Sequence, residues 1–200
     1  MKNQSKFLSF RNVVFIAVLS ALAIVIQLIT GIPFVAVPQL MMFVSAGISM
    51  ILTGPAYVLM SSKASKTGTA FLFALVQALY FLVLGQPLIA LMFAVGGLLS
   101  ELVLLKGGYQ SPLHICAAFS IYGIFYSIGS YLPYILLKEQ YEVQMTAAGY
   151  SSEMIHSIVS VFGSPLLVLI AALNAALWAS VGAYIGSRMM KKHFRPAGIA

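Results

Sequence analysis

Apolar runs long enough to cross a bilayer recur along this 200-residue chain, and they constrain it more than any motif does. A spanning helix needs about 20 mostly apolar residues. Six such runs are present, at roughly 13–31, 36–60, 68–85, 87–105, 113–137 and 164–187. Hydrophobic residues make up 61% of the chain and charged residues 8%, against roughly 25% charged in a soluble domain. That is too little polar surface for a soluble enzyme, and too apolar for a disordered chain. One cysteine, Cys116, cannot build a secreted disulfide framework. The sequence therefore reads as an all-α integral membrane protein, a single domain of six transmembrane helices.

The breaks between runs support this division. The first run stops at Thr30-Gly31-Ile32-Pro33, and the second opens after Pro38 with an expected break or kink at Gly54-Pro55. Gly85-Gln86-Pro87 makes a tight turn between the third and fourth. The fifth begins at Ser111-Pro112 and the sixth at Ser164-Pro165, each an N-cap followed by proline. The first run is too long for a signal peptide's apolar core and precedes no small-residue cleavage site.

The net charge of +7 invites a nucleic-acid reading until the cations are located. With six spans both termini share one side. That side holds Lys2, Lys6, Arg11, Lys63, Lys66, Lys106, Arg188, Lys191, Lys192 and Arg195. The other side holds Lys138 alone, beside Glu139, Glu142 and Glu153. Cytoplasmic loops carry the excess of Lys and Arg, so both termini are expected in the cytoplasm of a multi-pass, bacterial plasma-membrane protein, and no nucleic-acid partner is expected.

The connection from 138 to 160, on the outer side between the fifth and sixth spans, is the long one. It starts polar (Lys138-Glu139-Gln140-Tyr141-Glu142), turns at Gly149, and offers Ser151-Ser152-Glu153 as a helix start. Met154, Ile155, Ile158, Val159 and Phe162 then fall at helical spacing, which predicts a short amphipathic helix over the outer face or on the lipid interface.

Groups for catalysis are sparse. His114, His156 and His193 fall in different elements, so they do not form a metal site. There is no Asp, and Glu101 is the one acidic residue within a span. An intramembrane carboxylate is a functional candidate by default; here a structural pairing with Lys106 or another inner cation is preferred. No phosphate-cradling glycine loop occurs. Without mid-membrane ionisable relays, a self-contained carrier or channel is the weaker alternative, and an integral membrane enzyme weaker still.

Polar groups in the outer halves of the spans are more informative. They include Gln27, Gln77, Tyr80, Gln86, Tyr131 and Tyr134, with Asn174 near the middle of the last span. Buried in hydrocarbon they need partners. They either bond across helices and form an interfacial tyrosine belt, or line an outward-facing pocket together with Lys138, Glu139 and Tyr141. As a cluster they favour the pocket, for a small, flat organic solute. Two small-residue patterns, Ala17 with Ala21 and the series Ala171, Ala175, Ala179, Gly182, Gly186, allow close helix approach.

Several stretches resemble a known family. They are Gly97-Leu98-Leu99-Ser100-Glu101, Gly107-Gly108-Tyr109, Gly129-Ser130-Tyr131-Leu132-Pro133, Lys138-Glu139-Gln140-Tyr141, Gly149-Tyr150-Ser151 and the tail from Lys191 to Ile199. With the six-span plan and the alanine pair, the chain is similar to the substrate-specific (S) components of energy-coupling factor transporters, specifically the Trep_Strep or MptD-like group. The loop reads Lys-Glu-Gln-Tyr where that pattern has Lys-Asp-x-Tyr, so the acid is kept. The resemblance implies a subunit that is not an enzyme and binds no cofactor, capturing a vitamin-like solute from outside. It implies a transmembrane coupling subunit and two cytosolic ATPases of the ABC type as partners, ATP being used by those partners. By the same resemblance Ala17 and Ala21 form the docking surface, and the subunit topples in the membrane to deliver its solute.

Overall fold

A computed structural model describes residues 8–194, and every described element is helical. Lys2, Lys6, Arg195 and the tail beyond it lie outside the described residues. Helix α1 spans Phe10–Gly31 and α2 spans Pro38–Ala64. Helix α3 is Thr69–Val83, α4 Pro87–Gly107 and α5 Pro112–Leu136. Two short helices follow, α6 over Lys138–Ala147 and α7 over Ser152–Phe162, and then α8 over Pro165–Met189.

Five helices are long and apolar enough to cross a membrane, namely α1, α2, α4, α5 and α8 with its extension to Lys192. The third expected span, 68–85, is the shorter apolar helix α3 of 15 residues, about 22 Å long at 1.5 Å per residue. Outward faces carry the lipid-facing side chains, such as Val14, Val18, Leu22 and Val25 on α1 and Leu166, Leu169, Leu173 and Leu177 on α8. The protein is a multi-pass membrane protein.

The six apolar helices close into a ring in the order α1, α3, α4, α5, α8, α2, each packed against the next. Fully buried aromatic rings fill its middle. Tyr57 lies 4.6 Å from Phe119 and 5.4 Å from Phe73, and Tyr122 lies 5.6 Å from Phe119 and 5.9 Å from Phe93, centroid to centroid. All five rings are at most 1% exposed, so the packed ring is plugged.

The small residues of α8 let two neighbours approach at backbone distance. A methyl group added to Gly182 would come within 2.5 Å of the Met50 carbonyl of α2, and one on Gly54 within 2.2 Å of Gly182. On the other side Gly123 of α5 lies against the Ala175 carbonyl. Of the break or kink expected at Gly54-Pro55, no break occurs: helix α2 runs through Pro55. The Ile51 carbonyl, robbed of its amide partner by Pro55, lies against Gly182. The irregularity sits instead at the other end of α2, where Met41–Ser45 form a π-helical turn.

Glu101 is 4% exposed and holds two helices together. Its carboxylate accepts backbone N–H bonds from Gly68 at 2.7 Å, Ala70 at 2.8 Å and Phe71 at 3.3 Å, and a hydrogen bond from the Tyr109 hydroxyl. A side chain of α4 thus caps the N-terminus of α3, where negative charge is favoured. Gly68 supplies the left-handed φ of +93° that turns the chain into this cap. Of the inner cations expected as partners, Lys106 is exposed and does not pair with the carboxylate, which backbone amides engage. Burial, reinforced by the bond to Glu101, pushes the Tyr109 phenol above its ordinary range, so it stays a donor.

Removing this carboxylate strands buried donors. Glu101→Ala is expected to destabilise the protein by about 3 kcal/mol, with Glu101→Gln intermediate because its amide oxygen still accepts. Equilibrium unfolding of the two variants in detergent checks the order.

Candidate functional site

The 138–160 connection holds one more helix than expected. Its polar first part is α6, where Lys138 and Glu142 pair at 3.8 Å one turn apart. Gly149, at φ +84°, turns the chain, and the Ser151 hydroxyl caps α7 by accepting from the Met154 amide. The amphipathic helix expected from Ser152 onward is present as α7, with Ile158, Val159, Val161 and Phe162 buried.

These two helices wall a cavity of about 330 Å³ at the end of the ring where Lys138, Glu139, Glu142 and Glu153 lie. Tyr134 enters it from the end of α5. Tyr141, Gln144 and Met145 enter from α6, Tyr150 from the turn, and Ile158 and Phe162 from α7. Val35 and Met41 complete the wall from the α1–α2 connection and the start of α2. The Tyr134 ring centroid lies 4.6 Å from Tyr141 and 5.2 Å from Phe162. A second depression of about 210 Å³, lined by Gln86, Pro133 and Gln140, shares Tyr141 and Gln144 with the first. Between the two the Tyr141 hydroxyl donates to Gln86 Oε1. Burial raises the Tyr141 phenol above its usual value.

Among the residues expected to bind solute, Tyr134 and Tyr141 line this cavity, and Gln86 is tied to it through Tyr141. Tyr131 lies beneath it, 6% exposed, with its ring 4.8 Å from Phe162. Lys138 and Glu139 are exposed on α6, beside the cavity and outside its lining.

Four others are engaged elsewhere. Gln27 Nε2 donates to Gln77 Oε1 at 2.9 Å and to the Tyr122 hydroxyl at 3.2 Å, and that hydroxyl donates to Gln77 Oε1 at 2.7 Å. The amides therefore bond across α1, α3 and α5, the cross-helix role the sequence left open. Asn174 donates through Nδ2 to the Phe43 carbonyl at 2.9 Å and accepts from Trp178 Nε1 at 3.1 Å. It clasps the π-helical turn that begins at Met41. Tyr80 is half-buried and packs on Phe81 at 5.2 Å.

Of the docking pair, Ala21 is exposed on the outward face of α1 among Val14, Val18 and Val25, and Ala17 is half-buried. The sequence did not flag Gln144, Met145 or Tyr122. The first two had a signal, since Tyr141, Gln144, Met145 and Ala148 stand at the i, i+3, i+4, i+7 spacing of one helix face.

The clasp on α2 is testable with the chain's one tryptophan. Asn174→Leu removes both the donor to Phe43 and the acceptor for Trp178. It is expected to blue-shift Trp178 emission and to cost about 2 kcal/mol of stability, read from fluorescence and thermal unfolding of the detergent-solubilised protein.

No curated protein and no solved structure matches the chain. A family model described as "Hypothetical bacterial integral membrane protein (Trep_Strep)" matches residues 10–195. That match covers nearly the whole ring and both helices of the cavity wall, and the chain belongs to the Trep_Strep family of bacterial integral membrane proteins.

Proposed function

We propose that this protein is the solute-binding membrane subunit of an energy-coupling-factor type importer, taking a small vitamin-like organic solute into the tyrosine-walled cavity. The observation that carries the reading is the cavity's place. It opens at the end of the ring away from Arg11, Lys63, Lys106 and Arg188, against a bundle whose middle is plugged by five aromatic rings. A small, largely apolar cleft with a few convergent polar groups is the usual form of a solute site. The plug disfavours a channel. The intramembrane carboxylate Glu101, engaged with backbone amides, is poorly suited to a proton relay.

On this reading all six apolar helices cross the membrane, α3 as a short span, and both termini lie in the cytoplasm. The long outer connection between the fifth and sixth spans is the α6–α7 wall. The chain is a transport subunit with no ATPase of its own, and it binds no cofactor. Its drive comes from a transmembrane coupling subunit and two cytosolic ABC ATPases, as the family resemblance implies. Tyr134 and Tyr141 contact the solute. The outward face of α1 around Ala17 and Ala21 is the docking surface, flat enough for another helix to lie along it.

Uptake is expected to require co-expression of the coupling subunit and both ATPases, and to vanish when ATP hydrolysis is blocked. Undiminished uptake by this chain alone would sink the proposal. Mass spectrometry of the small molecules that co-purify with the protein names the solute. Ala21→Trp is expected to abolish uptake and leave binding intact, measured in vesicles and on purified protein respectively. Loss of both would assign the α1 face to bundle packing.

A further inference from the structure

From the cavity's chemistry we infer that its solute is an organic cation, an aromatic or alkylated nitrogen compound carrying positive charge. The inference rests on the cavity being the solute site, and it adds the solute's charge class. The lining holds three tyrosines and one phenylalanine, with Met41 and Met145, and no Lys, Arg or His. A carboxylate or phosphate entering it would shed water and meet no cationic partner, which is costly. A cation would meet electron-rich ring faces and polarisable thioethers. Tyr141 donates a hydrogen bond to Gln86, which leaves the phenol oxygen and ring richer in electrons.

The charges around the cavity point the same way. Three of the chain's four carboxylates, Glu139, Glu142 and Glu153, are borne by the two helices that wall it. Among the described residues the Lys or Arg at this end, Lys138, is turned to Glu142 at 3.8 Å and does not line the cavity. The topology rule accounts for where Lys and Arg lie but makes little demand on acidic residues. Glu139 and Glu153 also favour the first turns of their helices, yet that preference does not empty the lining of cations. The end of the ring at which the cavity opens therefore carries a net negative charge, which draws cations in and holds anions off.

Three water-soluble probes of nearly one shape separate the possibilities: the cation N-methylnicotinamidium, its neutral isostere meta-toluamide, and the anion nicotinate. Binding to the purified full chain in lipid nanodiscs is measured by calorimetry and stopped flow. The cation is expected to bind about tenfold or more tighter than the neutral isostere, with nicotinate weakest. Tyr134→Phe is expected to keep that advantage and Tyr134→Leu to lose most of it. The double variant Glu139→Gln with Glu153→Gln is expected to slow association several-fold at low salt, with dissociation unchanged and the difference gone at high salt. Equal or tighter binding of meta-toluamide would overturn the cationic class and leave the cavity as the solute site. No binding of any probe at millimolar concentration would overturn both the class and the site.

Discussion

A buried carboxylate that accepts three backbone amides is the contact on which the ring's closure depends. Helix α3 is the shortest of the six apolar helices, and it is the one that joins α1 to α4. A 15-residue helix gains little from length alone, and its first amides face the low-dielectric interior. Glu101 supplies what the local sequence does not, since Gly68 has no side chain with which to cap. The charge sits where both the orphan amides and the helix dipole favour it. The Tyr109 hydroxyl completes it from the α4–α5 turn, so one side chain fixes the order of three successive elements.

The rest of the ring is held by shape. Helix α8 meets α2 and α5 through Gly182, Ala175 and Ala179, close enough on the α2 side that one methyl group would collide with backbone. In a membrane, where the apolar effect does not drive helices together, such backbone contact is the main source of cohesion. The aromatic plug and the Gln27–Gln77–Tyr122 network add a rigid centre across α1, α3 and α5. The acid-bearing end gathers the π-helical turn of α2, the two short helices and the cavity between them, while a second π-helical turn, Met190–Phe194, ends α8 on the basic side.

What could be read from the sequence follows this division. Long apolar runs and their Ser-Pro starts mark the helices within a few residues, because hydropathy and capping are local. The register of small residues on α8 was legible for the same reason. The fate of Glu101 was not, since it depends on α3 and α4 being neighbours in the ring. Gln27 and Gln77 announced a need for partners but not that Tyr122 is the third member, which rests on helix rotation. The turn at Met41–Ser45 contains no helix breaker, so nothing in Met-Met-Phe-Val-Ser betrayed it or the Asn174 clasp. Helix α6 was hidden by its own polarity, although Tyr141, Gln144 and Met145 carried the period.

The cavity's position gives it a freedom the ring lacks. Most of its wall stands on α6, α7 and the turn between them, which pack only lightly against the close-packed helices. One residue inserted or deleted in α6 would turn the following face by about 100° and exchange Gln144 and Met145 for their neighbours. Such a change would leave Glu101, the α8 glycines and the aromatic plug untouched. Relatives sharing this frame can therefore diverge in what they accept through short edits to a peripheral segment, while selection on the membrane core stays strict.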